Sequence, residues 1–253
     1  MSISMLAQMN TYYKQGFTLV EMAIVLMIVG LLLGGLLVPL SAQMEQRNVT
    51  ETRKQLDEIQ QALMGFAITT GRLPQPSCGT IPTGQINAGT ELSAASAVAI
   101  ACTNDLYVLP WATLGVSETD AWGNRYTYRV TSIFSDAIGT TFGCATPAPP
   151  QASFALCSVG DLYVYSAASG VAATVSSNVP AVIISHGKNG AGAYTQQGIK
   201  LPVGNDLDEQ DNSDGNTNNK YVSHTPTPTF DDLVIWISPN ILLNRMVVAG
   251  KLP

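Results

Sequence analysis

Charge is the scarcest property of this chain. Only 12% of its 253 residues are Asp, Glu, Lys or Arg, about half the ~25% of an average soluble protein. Bases are rarer than acids, 12 against 18, for a net charge of −6. That balance excludes a protein held on nucleic acid by a general positive footprint. Histidine is nearly absent, with only His186 and His224, and neither has metal-ligand spacing. The four cysteines, Cys78, Cys102, Cys144 and Cys157, form no C-x-x-C pair, which argues against a four-cysteine zinc site. Gly187–Gly192 lacks the spacing of a phosphate-binding loop and reads as a turn. Ser185 and His186 are chain neighbours, which does not make a nucleophile–base pair. No enzyme is expected. After residue 40 there is no second long apolar run, which excludes a multispan membrane protein. A hydrophobic content of 46% excludes disorder for most of the chain.

What is present is concentrated at one end. Phe17–Leu40 reads FTLVEMAIVLMIVGLLLGGLLVPL, 24 residues with a single charge, Glu21. At ~1.5 Å per residue this matches a ~30 Å hydrocarbon core, so one membrane span is expected. Helical character continues to residue 69, because Ser41–Thr69 has no proline and one late glycine, Gly65. Leu56, Ile59, Leu63 and Phe66 recur as one apolar stripe, the pattern of a helix with a domain packed on it. Gly30, Gly34, Gly35 and Pro39 are the expected weak points. Gly71-Arg72-Leu73-Pro74 is a helix stop.

These residues carry a resemblance. Lys14-Gln15-Gly16 followed by Phe17-Thr18-Leu19-Val20-Glu21 resembles the prepilin motif of type IV pilins and type II secretion pseudopilins. The resemblance implies cleavage by a prepilin peptidase between Gly16 and Phe17, and N-methylation of Phe17. Removing 16 residues from 253 leaves 237, large for a major subunit and leaning toward a minor one. It also implies that Glu21 serves assembly, meeting the α-amino group of a neighbour and offsetting the cost of a carboxylate in an apolar span. Three further segments are similar to pseudopilins in chain order: Gly71–Pro74, Asp120-Ala121-Trp122-Gly123-Asn124-Arg125-Tyr126, and Ser185–Gly190 followed by Asp231-Asp232-Leu233. The second departs from the family pattern, with Ala121 and Arg125 where prolines are usual.

The implied organisation is a leader at 1–16, a transmembrane and polymerisation helix at 17–40, its amphipathic continuation at 41–70, and a periplasmic β-rich domain at 71–253. The implied partners are the peptidase, other pilin or pseudopilin subunits, inner-membrane assembly machinery and the membrane itself, with no nucleic acid. The location is the bacterial inner membrane, then a filament. A tethered periplasmic binding module that never polymerises is the competing reading.

Beyond the helix, strands are expected at Asp105–Leu109, Arg125–Val130, Asp161–Ser166, Ala181–Ser185 and Leu233–Ser238, and a terminal helix at Asn240–Val248. Alternation in Tyr126–Val130 suits an antiparallel sheet with one face covered, the cover being the long helix. The fold class is α+β. An even cysteine count outside the cytoplasm favours two disulfides. Of three connectivities, Cys78–Cys102 with Cys144–Cys157 is favoured, since each closes a loop rich in Gly, Ala or Pro. Residues 204–219 hold five acids, five Asn and no base. That oxygen density suits Ca²⁺, with Asp206, Asp208, Asp211 and Asp214 as candidate ligands, although no EF-hand frame fits. The major pseudopilin also binds calcium at this place in the chain. A solvated surface loop is the alternative.

Overall fold

A computed structural model describes residues 16–92, 102, 107–138, 151–169, 172–213 and 218–253, with the side chains of 35–40 excepted. The chain divides into two compact units, Met1–Arg47 and Asn48–Pro253. Helix α1 covers Leu19–Thr70 and runs without interruption through Gly30, Gly34 and Pro39, so the expected weak points do not break it.

In the first unit, every described side chain from Phe17 to Leu33 is exposed. Leu19 is 91% exposed, and Leu26, Met27 and Leu31 are close to two-thirds exposed. Among the described residues no helix is long and apolar enough to cross a membrane. The last part of the expected Phe17–Leu40 span, residues 35–40, lies outside the described side chains.

In the second unit, α1 buries Thr52, Leu56, Ile59, Leu63 and Ala67, steps of three and four that keep one face inward at 3.6 residues per turn. The expected stripe ended at Phe66. Ala67 takes that place instead, and half-buried Phe66 turns aside under the Arg72 guanidinium, 5.5 Å from its ring centroid. The helix stops at Gly71, φ +83°, whose N–H bonds the Ala67 carbonyl at 2.8 Å. A Cβ there would collide with the Gln151 carbonyl oxygen, so glycine is required for space as well as for φ.

The central sheet has the order β2 (Thr127–Val130), β5 (Ala181–Ser185), β8 (Leu233–Trp236), antiparallel throughout. Tyr126, Tyr128, Val130, Ala181, Ile183, Leu233 and Ile237 join the α1 side chains in one core, closed by Leu242 and Met246 of the C-terminal helix at Pro239–Val248. The opposite face is not solvated, contrary to the one-face expectation. Val182 and Ile184, with Val234 and Trp236, pack on Leu162, Val164, Val179 and Tyr221. Those residues belong to a second sheet, β4 (Thr174–Val179), β3 (Leu162–Tyr165), β7 (Lys220–Val222), in which β3 and β7 are parallel. A two-residue ladder pairs β1 (Asn124–Arg125) with β6 (Tyr194–Thr195). The class is α+β. Of the expected strand at Asp105–Leu109, residues 105–106 lie outside the description, and Val108 forms only bridges to Ser77 and Thr127. Short helices α2 (Trp111–Leu114), α3 (Ser132–Ser135) and α4 (Leu207–Ser213) precede the C-terminal helix, α5. Helix α4 lies inside the acidic segment expected to be a loop.

Candidate assembly helix and carboxylate cluster

Helix α1 begins at Thr18-x-x-Glu21, and the two residues satisfy each other. The Thr18 backbone N–H and hydroxyl both donate to Glu21 Oε2 at 2.8 Å, and the Glu21 N–H donates to Thr18 Oγ1 at 3.2 Å. This is a capping box, which gives partners to donors that the first helical turn leaves open. A carboxylate in the first turn also lies at the positive end of the helix dipole. Glu21 thus has a local role that the spacing alone could have revealed, beside its expected role between subunits. The cap opens the longest uncovered apolar surface among the described residues. Such a surface marks contact with lipid or protein.

Of the expected disulfides, Cys78–Cys102 is present, with Cα atoms 6.0 Å apart. Cys157 is disulfide-bonded; Cys144, its expected partner, lies outside the described residues. Two arginines hold the loop that Cys78 opens. Arg72 forks onto Glu91, with Nη1 and Nη2 each donating to a carboxylate oxygen at 2.8 Å. Burial works to raise the Glu91 carboxyl, but Arg72 and the Gln75 N–H outweigh it and hold Glu91 below the ordinary range. Arg125 is fully buried. Its Nε donates to Glu118 at 2.9 Å, Nη1 to the Gly79 and Ile81 carbonyls at 2.9 Å each, and Nη2 to Thr83 Oγ1 and the Gln196 carbonyl. Its Cζ lies over the Trp111 ring, 4.5 Å from the ring centroid.

Asp120 organises the turn that precedes Arg125. Its Oδ1 accepts the Trp122 and Asn124 N–H groups, and its Oδ2 accepts the Ser185 hydroxyl at 2.6 Å. Burial pushes its carboxyl above the ordinary value despite these bonds. His186, buried, meets Thr127 Oγ1 at 2.8 Å and lies 3.7 Å from Asp232. Neither His186 nor Asp232 has any exposed side-chain surface.

Among the described residues, the candidate calcium ligands Asp206, Asp208 and Asp211 do not group into one carboxylate cluster. Asp206 accepts the Asp208 N–H, Asp208 accepts the Ala168 N–H and the His224 ring, and Asp211 accepts the Asn218 amide. Asp214 lies outside the described residues. Among the described residues, Glu209, Asp231 and Asp232 come together, with one carboxylate oxygen of each within 4.8 Å of the others. Glu209 faces inward from α4, and Asp231 and Asp232 lead into β8. Asp231 accepts the Lys188 and Asn189 N–H groups, Asn189 donates its amide to Glu209, and Asn212 donates to Asp232. One oxygen of Asp232 is buried without a hydrogen bond. Burial, then Asp232 and Asp231, push the Glu209 carboxyl upward, against the Asn189 amide bond. Three converging oxygen donors, one of them with an unbonded buried oxygen, fit a hard cation such as Ca²⁺. Sequence reasoning had Asp231-Asp232 in view as a motif, but nothing in the local pattern joined it to Glu209.

A capped, uncovered apolar helix and a separately folded α+β unit define a class of chain whose N-terminal segment is built to be covered by something else. Residues 12–37 match the family described as the prokaryotic N-terminal methylation motif, the signature of type IV pilins and pseudopilins. No curated protein matches this chain, and no solved structure does.

Proposed function

We propose that this chain is a structural subunit of a type IV pilus or type II secretion pseudopilus, present as a minor component. It is cut after Gly16, methylated on Phe17, held in the inner membrane by its apolar helix with the folded unit in the periplasm, and assembled through that helix. The observation that carries this reading is the uncovered apolar surface of α1, which starts at a capped Thr18 inside the matched motif and just after the expected Gly16–Phe17 cut. Lipid covers such a surface before assembly and neighbouring helices cover it afterwards, with no new residues needed. The test is N-terminal mass analysis of the membrane-extracted chain together with sheared filaments. N-methyl-Phe as residue one and recovery in filaments are expected; a retained Met1 favours the non-polymerising module.

We further propose that Glu209, Asp231 and Asp232 hold Ca²⁺, which neutralises their mutual repulsion and ties the 186–190 turn to α4. At a concentration of 100 times Kd a bound ion adds about 2.7 kcal/mol, or roughly 5–10 °C in Tm for a unit of this size. Thermal melts of the full chain in detergent with Ca²⁺, Mg²⁺ or chelator measure this. A shift with Ca²⁺ that Glu209→Gln abolishes is expected, and identical melts in all three would end the idea.

A further inference from the structure

Arg129 stands where the fold gives its Nε no acceptor. In the register of β2 and β5 it lies opposite Val182, as Thr127 lies opposite Ile184. Directly opposed residues share one side of an antiparallel pair, and on that side Val182 and Ile184 pack on the second sheet. A guanidinium is thus placed beside the apolar layer between the two sheets. Its Nε is buried with no hydrogen-bond partner, and among the described residues no carboxylate pairs with it. A buried donor left unmet is costly and rare. Arg125, on the neighbouring strand, meets acceptors with all three of its nitrogens.

Arg129 lines a small cleft of about 10 Å³, room for one water-sized group. A second base, Lys200, lines it too, with Tyr107, Tyr194 and Tyr221 and no acid. Lys200 gives one N–H to the Ser213 carbonyl at 3.2 Å, which leaves its ammonium further donors. The charge of the lining is wholly positive, in a chain whose net charge is −6. We propose that this cleft binds one carboxylate group of a small organic acid, of which a uronic acid sugar is the class it fits. The Nε–H and the adjacent Nη–H of an arginine form a planar fork that matches two carboxylate oxygens. A tetrahedral phosphate or sulfate needs more room than one water-sized group. The tyrosines surround the opening with aromatic surface, the lining that holds a ring while a few polar groups orient it. The ring itself lies outside the cleft, and the carboxylate enters it.

The test is isothermal titration calorimetry of the full chain in detergent, with glucuronate, acetate, phosphate and neutral glucose as probes. Ionic strength is held constant, because salt screens an exposed lysine. Glucuronate is expected to bind one per chain and acetate more weakly, with glucose and phosphate weaker than glucuronate by about tenfold or more, the value of a charged hydrogen bond. Arg129→Gln is expected to melt no lower than the parent, since its Nε gives up no bond, and to weaken glucuronate by about tenfold or more. Lys200→Gln changes an exposed residue and is expected to weaken it by about threefold. Acetate equal to glucuronate keeps the carboxylate site and removes the sugar ring from it. Phosphate or glucose equal to glucuronate overturns the proposal. So does an absence of heat with every probe, or an affinity for glucuronate that neither variant changes.

Discussion

Arg125→Met is expected to lower the stability of the folded unit by about 3–5 kcal/mol, the usual cost of removing one partner of a buried ion pair. Methionine fills most of the same volume, so the loss reports hydrogen bonds and charge rather than a void. Five interactions disappear together: the pairing to Glu118, the bonds to Gly79 and Ile81, and those to Thr83 and Gln196. The carbonyls of Gly79 and Ile81 lose a charged donor in a buried setting, where an unmet acceptor is costly. Glu118, its side chain 13% exposed, keeps its charge and loses its counter-charge. At 2–4 °C per kcal/mol for a unit of this length, Tm falls by about 6–20 °C. Arg125→Lys restores the charge but cannot reach five acceptors, so an intermediate melt is expected. Differential scanning calorimetry of the three chains checks this, and an Arg125→Met melt within 2 °C of the parent would remove Arg125 as the centre of the loop. The residue stands where the related motif has proline, and its contacts explain the departure: this chain fastens a disulfide-closed loop there, and proline offers no donor.

Glu21→Ala is expected to reduce filament incorporation about a hundredfold or more while membrane insertion and cleavage continue. Two effects add. The capping box is lost, leaving the Thr18 N–H and hydroxyl without their acceptor, worth ~1 kcal/mol. On the proposed subunit reading, the α-amino group of a neighbour also loses its counter-charge in apolar surroundings, where a stranded charge costs about 3–5 kcal/mol. Each 1.4 kcal/mol is tenfold in the equilibrium. Glu21→Gln separates the two, since glutamine serves in a capping box and carries no charge. If charge pairing governs assembly, Gln fails as Ala does; if the cap governs, Gln assembles. Immunoblots of sheared filaments against the membrane pool measure all three chains. Parent-level incorporation of Glu21→Ala would refute an assembly role for this carboxylate.

The outcome for the acidic segment marks how far local patterns reach. Residues 204–219 stand out by composition, which points to Asp206, Asp208, Asp211 and Asp214 as candidate ligands. In the fold Asp206 and Asp208 serve turns and His224, while Glu209, outside that set, turns inward to meet Asp231 and Asp232. Composition reports how many oxygens a segment offers. Which way each side chain points depends on helix α4, whose seven residues bury one side.

What sequence alone determined is whatever depends on neighbours within a few residues: the apolar run, the start of α1 at Thr18-x-x-Glu21, its stop at Gly71, and the α+β class. Helical periodicity, capping and glycine's access to positive φ are local effects, written in consecutive residues. What tertiary structure decided is whatever joins residues far apart. Ala181-Val182-Ile183-Ile184 is apolar without alternation because both faces of β5 are buried, one by α1 and the other by a second sheet. Arg125 is fully buried because acceptors from three separate segments, 79–83, Glu118 and Gln196, converge on it. Burial and partner choice are properties of the assembled layers, and no window of sequence holds both partners at once.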